Sequence, residues 1–345
     1  MLFRNRHRTI REVHRRRPYR WPMTVCAVAC AVGLIAPAYA AAQPTSAAGR
    51  SVSADTYITT TCAGQPMRVP VTWYLPNREP TGLVWLQHGF SRTAKNLGQL
   101  AGSLSDDGLL VAATTLRSIN LSGCAVALNS VDNTAFVKGL ATAFGAHSTP
   151  GSPVFRSLER AAKHTRSGTV VMPQKMVFAG HSAGGEVALT AANQLRMADP
   201  GGYHILAGLM LFDPVNSFFG NNFQAATVDL GAARLPIRVI ASQPSMSNIA
   251  GLGVWWLEQG TRQKFLGVRL TTGIHIDVEG DTTDLIGEAS ELAVPRPRNG
   301  RVLRRLSGQW ISDMLTGDTS TAYYPGGDYY RLLIHSHTVT TLPVG

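Results

Sequence analysis

Met176-Val177-Phe178-Ala179-Gly180-His181-Ser182-Ala183-Gly184-Gly185-Glu186-Val187-Ala188-Leu189 carries the clearest structural instruction in this chain. Four apolar residues lead into a glycine-flanked serine, and an Ala/Leu-rich helical pattern follows at once. The pattern predicts a strand, a tight turn and a helix, with Ser182 in the turn. Small residues are required there, because the positions two before and two after the serine come close together; Gly180 and Gly184 supply that room. The helix N-terminus behind Ser182 favours a developing negative charge. The pentapeptide Gly180–Gly184 alone is a weak signal, and its strand and helix neighbours make it specific. Ser182 is therefore the candidate nucleophile.

Outward from this turn, apolar β-rich runs alternate with helical patterns. Strands are expected at 55–61, 67–74, 82–87, 109–116, 175–179, 205–212, 236–241 and 265–270. Helices are expected at 96–104, 133–144, 154–164, 183–197, 247–258 and 302–315, and the tail from Tyr323 has no clear assignment. This is an α/β pattern: a mostly parallel, twisted sheet of about eight strands with helices on both faces. No internal repeat is visible.

A serine hydroxyl needs a base, and the base needs an orienting acid. Where a serine rises from such a turn, the acid and then the histidine follow in the chain. His275 comes after the 265–270 strand and before the closing helix, where no other histidine lies; His335 and His337 sit in the tail, and His204 starts a strand, at the wrong end of the sheet. Between Ser182 and His275 the only acids are Glu186, Asp199, Asp213, Asp229 and Glu258. The commonest position, the loop after the 236–241 strand, reads Ser242-Gln243-Pro244-Ser245-Met246-Ser247 and holds no carboxylate. Asp213 stands at the C-terminal end of the preceding strand, where the sites of open α/β sheets gather. The other acids fall on helices or irregular segments. For a tetrahedral intermediate, the backbone N–H groups of Phe90 and Ala183 are the candidate donors. Phe90 belongs to His88-Gly89-Phe90 after the 82–87 strand, and His88 is read as a brace of that loop rather than a base. The apolar segment Ile249–Trp256 is either a wall for an acyl group or a core-packing helix.

Residues 1–42 read as an export signal. Eight arginines within residues 1–20 face one acid, Glu12, and an apolar run from Met23 to Ala40 ends in small residues. Cleavage is favoured over an uncleaved anchor because the run is short and contains Pro37. Sec or Tat export stays open. Residues 43–53 read as a polar linker and 54–345 as the folded domain. The leader holds seven of the eleven formal positive charges, so the remaining four give no reason to expect a nucleic-acid partner. Cys26 and Cys30 lie in the leader; Cys62 and Cys124 remain, and an exported chain with two cysteines suggests one disulfide between them. No cofactor is implied, and no His/Cys cluster has metal-ligand spacing.

Three local patterns resemble the chlorophyllase-like and polyester-hydrolase-like, dienelactone-hydrolase-related branch of the α/β-hydrolases. They are His88-Gly89-Phe90, Gly180–Gly185 and Phe212-Asp213-Pro214-Val215. In chlorophyllase-like proteins a similar Asp-Pro-Val turn carries the triad acid, and their catalytic-histidine segment resembles His275-Ile276-Asp277-Val278-Glu279. The resemblance spans most of residues 60–315 and is specific only at these motifs. Ala183 stands where chlorophyllases usually have Arg, and polyester hydrolases usually have an aromatic or Met beside the serine and an acid after the next strand, where this chain has neither pattern. The resemblance implies an α/β-hydrolase fold and a secreted serine hydrolase that cleaves a small-molecule, lipid or polymeric ester through an acyl-enzyme. The alternatives are an envelope acyltransferase with the same triad and a non-catalytic secreted binding protein of the same fold.

Overall fold

The alternation of apolar runs resolves into one sheet with helices on two faces. The computed structural model describes residues 51–344, apart from 127–130, 166–170 and 219. The expected export signal and the expected linker up to residue 50 lie outside the described residues. The strands are β1 (Val52–Cys62), β2 (Gln65–Leu75), β3 (Leu83–Gln87), β4 (Leu110–Thr114), β5 (Met176–His181), β6 (Leu206–Phe212), β7 (Ile237–Ala241), β8 (Gly267–Leu270) and β9 (Val339–Thr341). The helices are α1 (Gly98–Asp106), α2 (Val131–Gly145), α3 (Pro153–Thr165), α4 (Ala183–Ala198), α5 (Pro200–His204), α6 (Asn222–Ala232), α7 (Leu252–Gly260), α8 (Leu285–Glu291), α9 (Pro297–Thr316) and α10 (Asp328–His335).

The strand order is β1-β2-β4-β3-β5-β6-β7-β8-β9. From β4 across to β8 all neighbours are parallel, whereas β1, β2 and β9 join antiparallel at the two ends. Alternate residues of each central strand enter opposite cores. Trp85, Phe178, Leu209 and Leu211 pack with α2, α3, α4, α6 and α7. Val84, Val177, Met210 and Phe212 pack with α1, α9 and α10. Burial on both faces is why these strands read as unbroken apolar runs rather than as alternating ones. Trp85 stacks on Phe144 at 4.5 Å between ring centroids and meets Phe178 edge-on at 4.8 Å. Its indole N–H is satisfied by Thr114 Oγ1 at 2.8 Å, whose hydroxyl in turn donates to Gln87 Oε1 at 2.7 Å.

The structure differs from the sequence expectations at the ends. β1 begins at Val52, inside the expected linker, because its pairing with β2 runs on to the Val52–Leu75 pair. The strand expected at 265–270 is shorter and is not the last. Val339–Thr341 pairs with it, so the sheet gains a ninth strand, and the unassigned tail supplies α10 and β9. Three residues are too few to print an alternation in sequence, and their place is set by Leu342 N–H donating to Gly267 O at 3.0 Å and by the α10 packing. Helices α5, α6 and α8 are further additions to the expected set. No helix among the described residues is long and apolar enough to cross a membrane.

Cys62, the last residue of β1, is disulfide-bonded to Cys124 in the loop after β4, 62 positions away. A cross-link of this loop length restricts the unfolded chain. Replacing both by serine should destabilise the domain by about 2–4 kcal/mol, measured by urea unfolding of the folded domain. An unchanged midpoint would show that the β1 edge holds without the cross-link.

Candidate active site

β5 enters the turn at Gly180, and α4 leaves it at Ala183. Ser182 adopts φ 57°, ψ −128°, a positive-φ backbone that costs a non-glycine residue about 1–3 kcal/mol and persists only where the surroundings enforce it. They do so here. A Cβ on Gly180 would lie 2.1 Å from Gly184 O, and one on Gly184 would lie 2.3 Å from His88 O. Ser182 N–H donates to Phe212 O at 3.0 Å, and Ser182 O accepts from Val215 N–H at 3.0 Å. The turn is thereby tied to the end of β6.

His275 opens a single 3₁₀ turn, His275–Val278, after β8. The Ser182 hydroxyl donates to His275 Nε2 at 2.8 Å, and His275 Nδ1–H donates to Asp213 Oδ2 at 2.6 Å. Asp213 follows β6 with a φ of 42°. The carboxylate-free loop after β7 surrounds it with donors. Ser242 N–H reaches Oδ1 at 2.9 Å, the Ser242 hydroxyl donates to Oδ2, and Asn248 Nδ2 donates to Oδ2 at 3.0 Å. Burial by itself would raise the Asp213 carboxyl. The hydrogen bond and charge of His275 and the two Ser242 donors outweigh it, so the carboxyl lies below its ordinary range.

The remaining acids have other partners. Glu186 accepts from Ser217 N–H at 2.9 Å, Asp199 caps α5 through Gly202 N–H at 3.0 Å, Asp229 accepts from Asn193 Nδ2 at 2.9 Å, and Glu258 faces Arg269 at 3.9 Å. His335 bonds Arg331 O at the end of α10. His204 lies in α5 rather than at a strand start.

The His88–Phe90 loop passes directly over Ser182: a Cβ on Gly89 would lie 2.7 Å from Ser182 Cβ and 3.3 Å from its Oγ. Phe90 N–H is one peptide beyond this approach. Ala183 N–H belongs to the first turn of α4, where amides have no intrahelical acceptor. Both ring nitrogens of His88 are spent on the loop: Nδ1–H donates to Gly89 O at 2.7 Å, and Nε2 accepts from Leu116 N–H at 3.0 Å. Burial, aided by the Arg92 charge, pushes His88 down to about 4, so its ring is neutral.

Several residues that hold the site have no separate signal in the sequence. His181 Nε2–H donates to His275 O at 2.9 Å, and the two rings lie 4.6 Å apart. Burial, with the neighbouring His275 charge, drives His181 well below the ordinary histidine range. Asp277 accepts from Ile274 N–H at 2.9 Å, Arg296 N–H at 2.8 Å and Asn299 Nδ2 at 2.7 Å, fixing the His275 turn to the start of α9. Ser242 and Asn248 escape a search of that loop for a carboxylate; its hydroxyls and amide are the available clue.

The segment 249–256 is a 3₁₀ turn running into α7, partly core and partly exposed. Val254 is core, Leu252 and Trp255 are exposed, and Gly253 lies so close to the Asp213-Pro214 turn that a Cβ would meet Pro214 O at 2.2 Å. Among the described residues no group of three or more His, Cys, Asp or Glu side chains could hold a metal ion.

Strand order, two-sided helix packing and the strand–turn–helix at Ser182 define an α/β-hydrolase fold. No family model and no curated protein matches the sequence. Among solved structures, the chain is similar to EstE1, a thermophilic and thermostable carboxylesterase cloned from a metagenomic library. That pair is 14% identical with a TM-score of 0.48, covering 76% of this chain and 89% of that one. It is similar to an esterase from Pyrobaculum calidifontis at 18% identity and a TM-score of 0.46, over 76% and 85% of the two chains. It is also similar to a dienelactone hydrolase from Anabaena variabilis at 14% identity and a TM-score of 0.45, over 78% and 97%.

The buried histidines give a pH signature. His88 is held near 4, below the roughly 6.5 of an unfolded histidine, so the unfolded chain binds its proton first as pH falls. The stability it contributes is complete above about pH 6.5 and is lost as pH falls towards 4, about 3 kcal/mol from this group. His181 acts with the same sign. Asp213, lowered, adds a loss only at more acid pH, below the ordinary carboxylate range. Buried Asp277 and Glu279, raised by burial, act with the opposite sign, so the check is differential: across pH 7 to 4 the urea stability of His88→Gln should fall less steeply than that of the wild type, and identical slopes would refute this account of His88.

Proposed function

We propose that the protein is a serine hydrolase that cleaves carboxylic esters through an acyl-enzyme. The observation that carries this reading is the unbroken chain Ser182 Oγ–H to His275 Nε2 and His275 Nδ1–H to Asp213 Oδ2, at 2.8 and 2.6 Å. In this mechanism Ser182 Oγ attacks the ester carbonyl while His275 Nε2 takes its proton. Asp213 holds the tautomer and stabilises the imidazolium. The N–H groups of Phe90 and Ala183 receive the oxyanion. His275 returns the proton to the leaving alkoxide, and the alcohol departs. Water then repeats the sequence on the acyl-enzyme, releasing the acid and restoring Ser182.

The exposed side chains of Phe90, Phe218, Met246 and Trp255, on segments that follow β3, β6 and β7, support an apolar ester rather than a charged one. Residues 1–42 are read as a cleaved export signal and the mature protein as secreted; the arginine-rich start, the apolar run and the Cys62–Cys124 disulfide support this.

Residues 43–345, purified, should hydrolyse p-nitrophenyl butyrate, and a fluorophosphonate should label the protein at Ser182. Ser182→Ala should lower kcat by roughly 10,000-fold or more and abolish labelling. Asp213→Asn should lower it by about 10,000-fold, since the asparagine amide favours the wrong imidazole tautomer. Equal rates for wild type and Ser182→Ala would overturn the reading; full turnover in Asp213→Asn would place the acid elsewhere.

A further inference from the structure

We propose that Arg92 is a positioning residue that sets the spacing between the Phe90 loop and the His275 segment. The proposal rests on the serine-hydrolase reading above. Arg92 lies two residues after Phe90, and its side chain is only 6% exposed. Its Nε donates to Glu279 Oε1 at 2.8 Å, and Nη1 donates to Asp284 Oδ1 at 2.7 Å. Glu279 is fully buried and stands four residues after His275, with its N–H donating to Ile276 O at 3.0 Å. Asp284 caps α8 through Gly287 N–H at 3.0 Å and accepts from Asn96 Nδ2 at 3.1 Å.

The anchors nearest Phe90 and His275 lead elsewhere, whereas farther along the two segments Asn96 and Gln99 bond to Asp281, Thr282 and Asp284. The Phe90 loop is held by His88 to Leu116 and by Ser91 N–H to Ser118 Oγ at 2.7 Å, both towards the end of β4. The His275 turn is held by His181 from β5 and by Asp277 against α9. Neither set joins the Phe90 loop directly to the His275 segment; the two otherwise meet through Ser182, against which Gly89 packs and to which His275 bonds, and through the links of Asn96 to Thr282 and Asp284. Arg92–Glu279 joins the segment that carries the oxyanion donor to the segment that carries the base.

Energetics point the same way. Burial raises the Glu279 carboxyl even with the Arg92 charge opposing it. A buried ion pair seldom improves stability over an apolar pair of the same volume, because desolvation offsets the attraction. Its value here is directional: a guanidinium fork fixes two carboxylates at defined angles, which an ammonium does not. Oxyanion donors act only when held within a fraction of an ångström of the developing charge. The clamp should therefore govern the chemical step more than substrate binding.

Gly287 offers a way to disturb Arg92 without altering a charge. A Cβ there would lie 1.7 Å from Arg92 Nη2, so Gly287→Ala must push the guanidinium aside, while alanine itself favours the α8 helix. Kinetics on p-nitrophenyl butyrate and thermal melting would be measured for wild type, Arg92→Lys, Glu279→Gln, Asp284→Asn and Gly287→Ala. The expected result for Arg92→Lys and Gly287→Ala is a kcat lowered by about 10- to 100-fold with KM within about two-fold. Asp284→Asn, half exposed, should show a smaller loss of the same kind, and folded Glu279→Gln a loss like that of Arg92→Lys. Wild-type kcat in folded Arg92→Lys or Gly287→Ala, or a loss confined to KM, overturns the proposal. If the Arg92 and Glu279 variants fail to fold, Gly287→Ala and Asp284→Asn decide it by the same split. A wild-type protein with no Ser182-dependent turnover is a different result, the failure of the serine-hydrolase reading, and this proposal falls with it.

Discussion

The close approach of three backbone segments at Ser182 is the constraint on which the site depends. Gly180, Gly184 and the segment Gln87–Gly89 cannot be spread apart: the Gly184 α-carbon is pressed against the carbonyls of Gln87 and His88, and Gly89 against Ser182. These contacts hold Ser182 at a positive φ that the residue would not otherwise adopt. They also bring the loop after β3 over the hydroxyl. One packing arrangement thus orients the candidate nucleophile and delivers the backbone that would receive the oxyanion. The sheet core beneath, buried on both faces, supplies the rigidity that a strained turn needs.

Sheet order turns residues far apart in sequence into neighbours. β3, β5, β6, β7 and β8 lie side by side and parallel, so their C-terminal ends share one edge. β3 leads to the Phe90 loop, β5 to Ser182, β6 to Asp213 and β8 to His275. β7, between the acid and the histidine, leads to Ser242 and Asn248 rather than to a carboxylate. An acid one strand nearer the serine would be a buried, desolvated charge unless donors enclosed it. The β7 loop provides that enclosure, and Asn248 is locked in turn by Ser245 and Gly251 N–H groups donating to its Oδ1 at 2.8 and 2.9 Å.

Much of this was legible in the sequence, for physical reasons that differ from residue to residue. The central strands announced themselves because burial on both faces demands continuous apolar runs, as in Leu83–Gln87 and Leu206–Phe212. The turn at Ser182 was legible because steric crowding admits almost nothing but glycine at two fixed offsets. Asp213 and His275 followed from chain order and from the poverty of acids between Ser182 and His275. β9 was not legible, since three residues carry no period and their position depends on β8. Arg92 was equally silent: an arginine in a polar loop reads as solvated, and only its pairing with residues 187 and 192 positions away reveals that it is buried. Ser242 and Asn248 left only the hydroxyls and amide of their loop as a clue, because donors to a carboxylate have no spacing rule, only a shared destination.

The three histidines near Ser182 illustrate how burial assigns different work to one side-chain type. His88 and His181 are both held neutral by desolvation, and each spends its ring on a backbone carbonyl: His88 on Gly89, His181 on His275. His181 Nδ1 has no hydrogen-bond partner among the described residues, so the ring is retained for its single bond to the His275 carbonyl and for its contact with the His275 ring. His275 alone has a carboxylate on one nitrogen and a hydroxyl on the other. A neutral His181 also matters to the proposed chemistry: a second positive charge 4.6 Å from His275 would oppose formation of the imidazolium that the acylation step requires. In the proposed mechanism an uncharged His181 would favour acceptance of the Ser182 proton by His275, and the same burial that makes His181 invisible as a base lets it support the His275 segment.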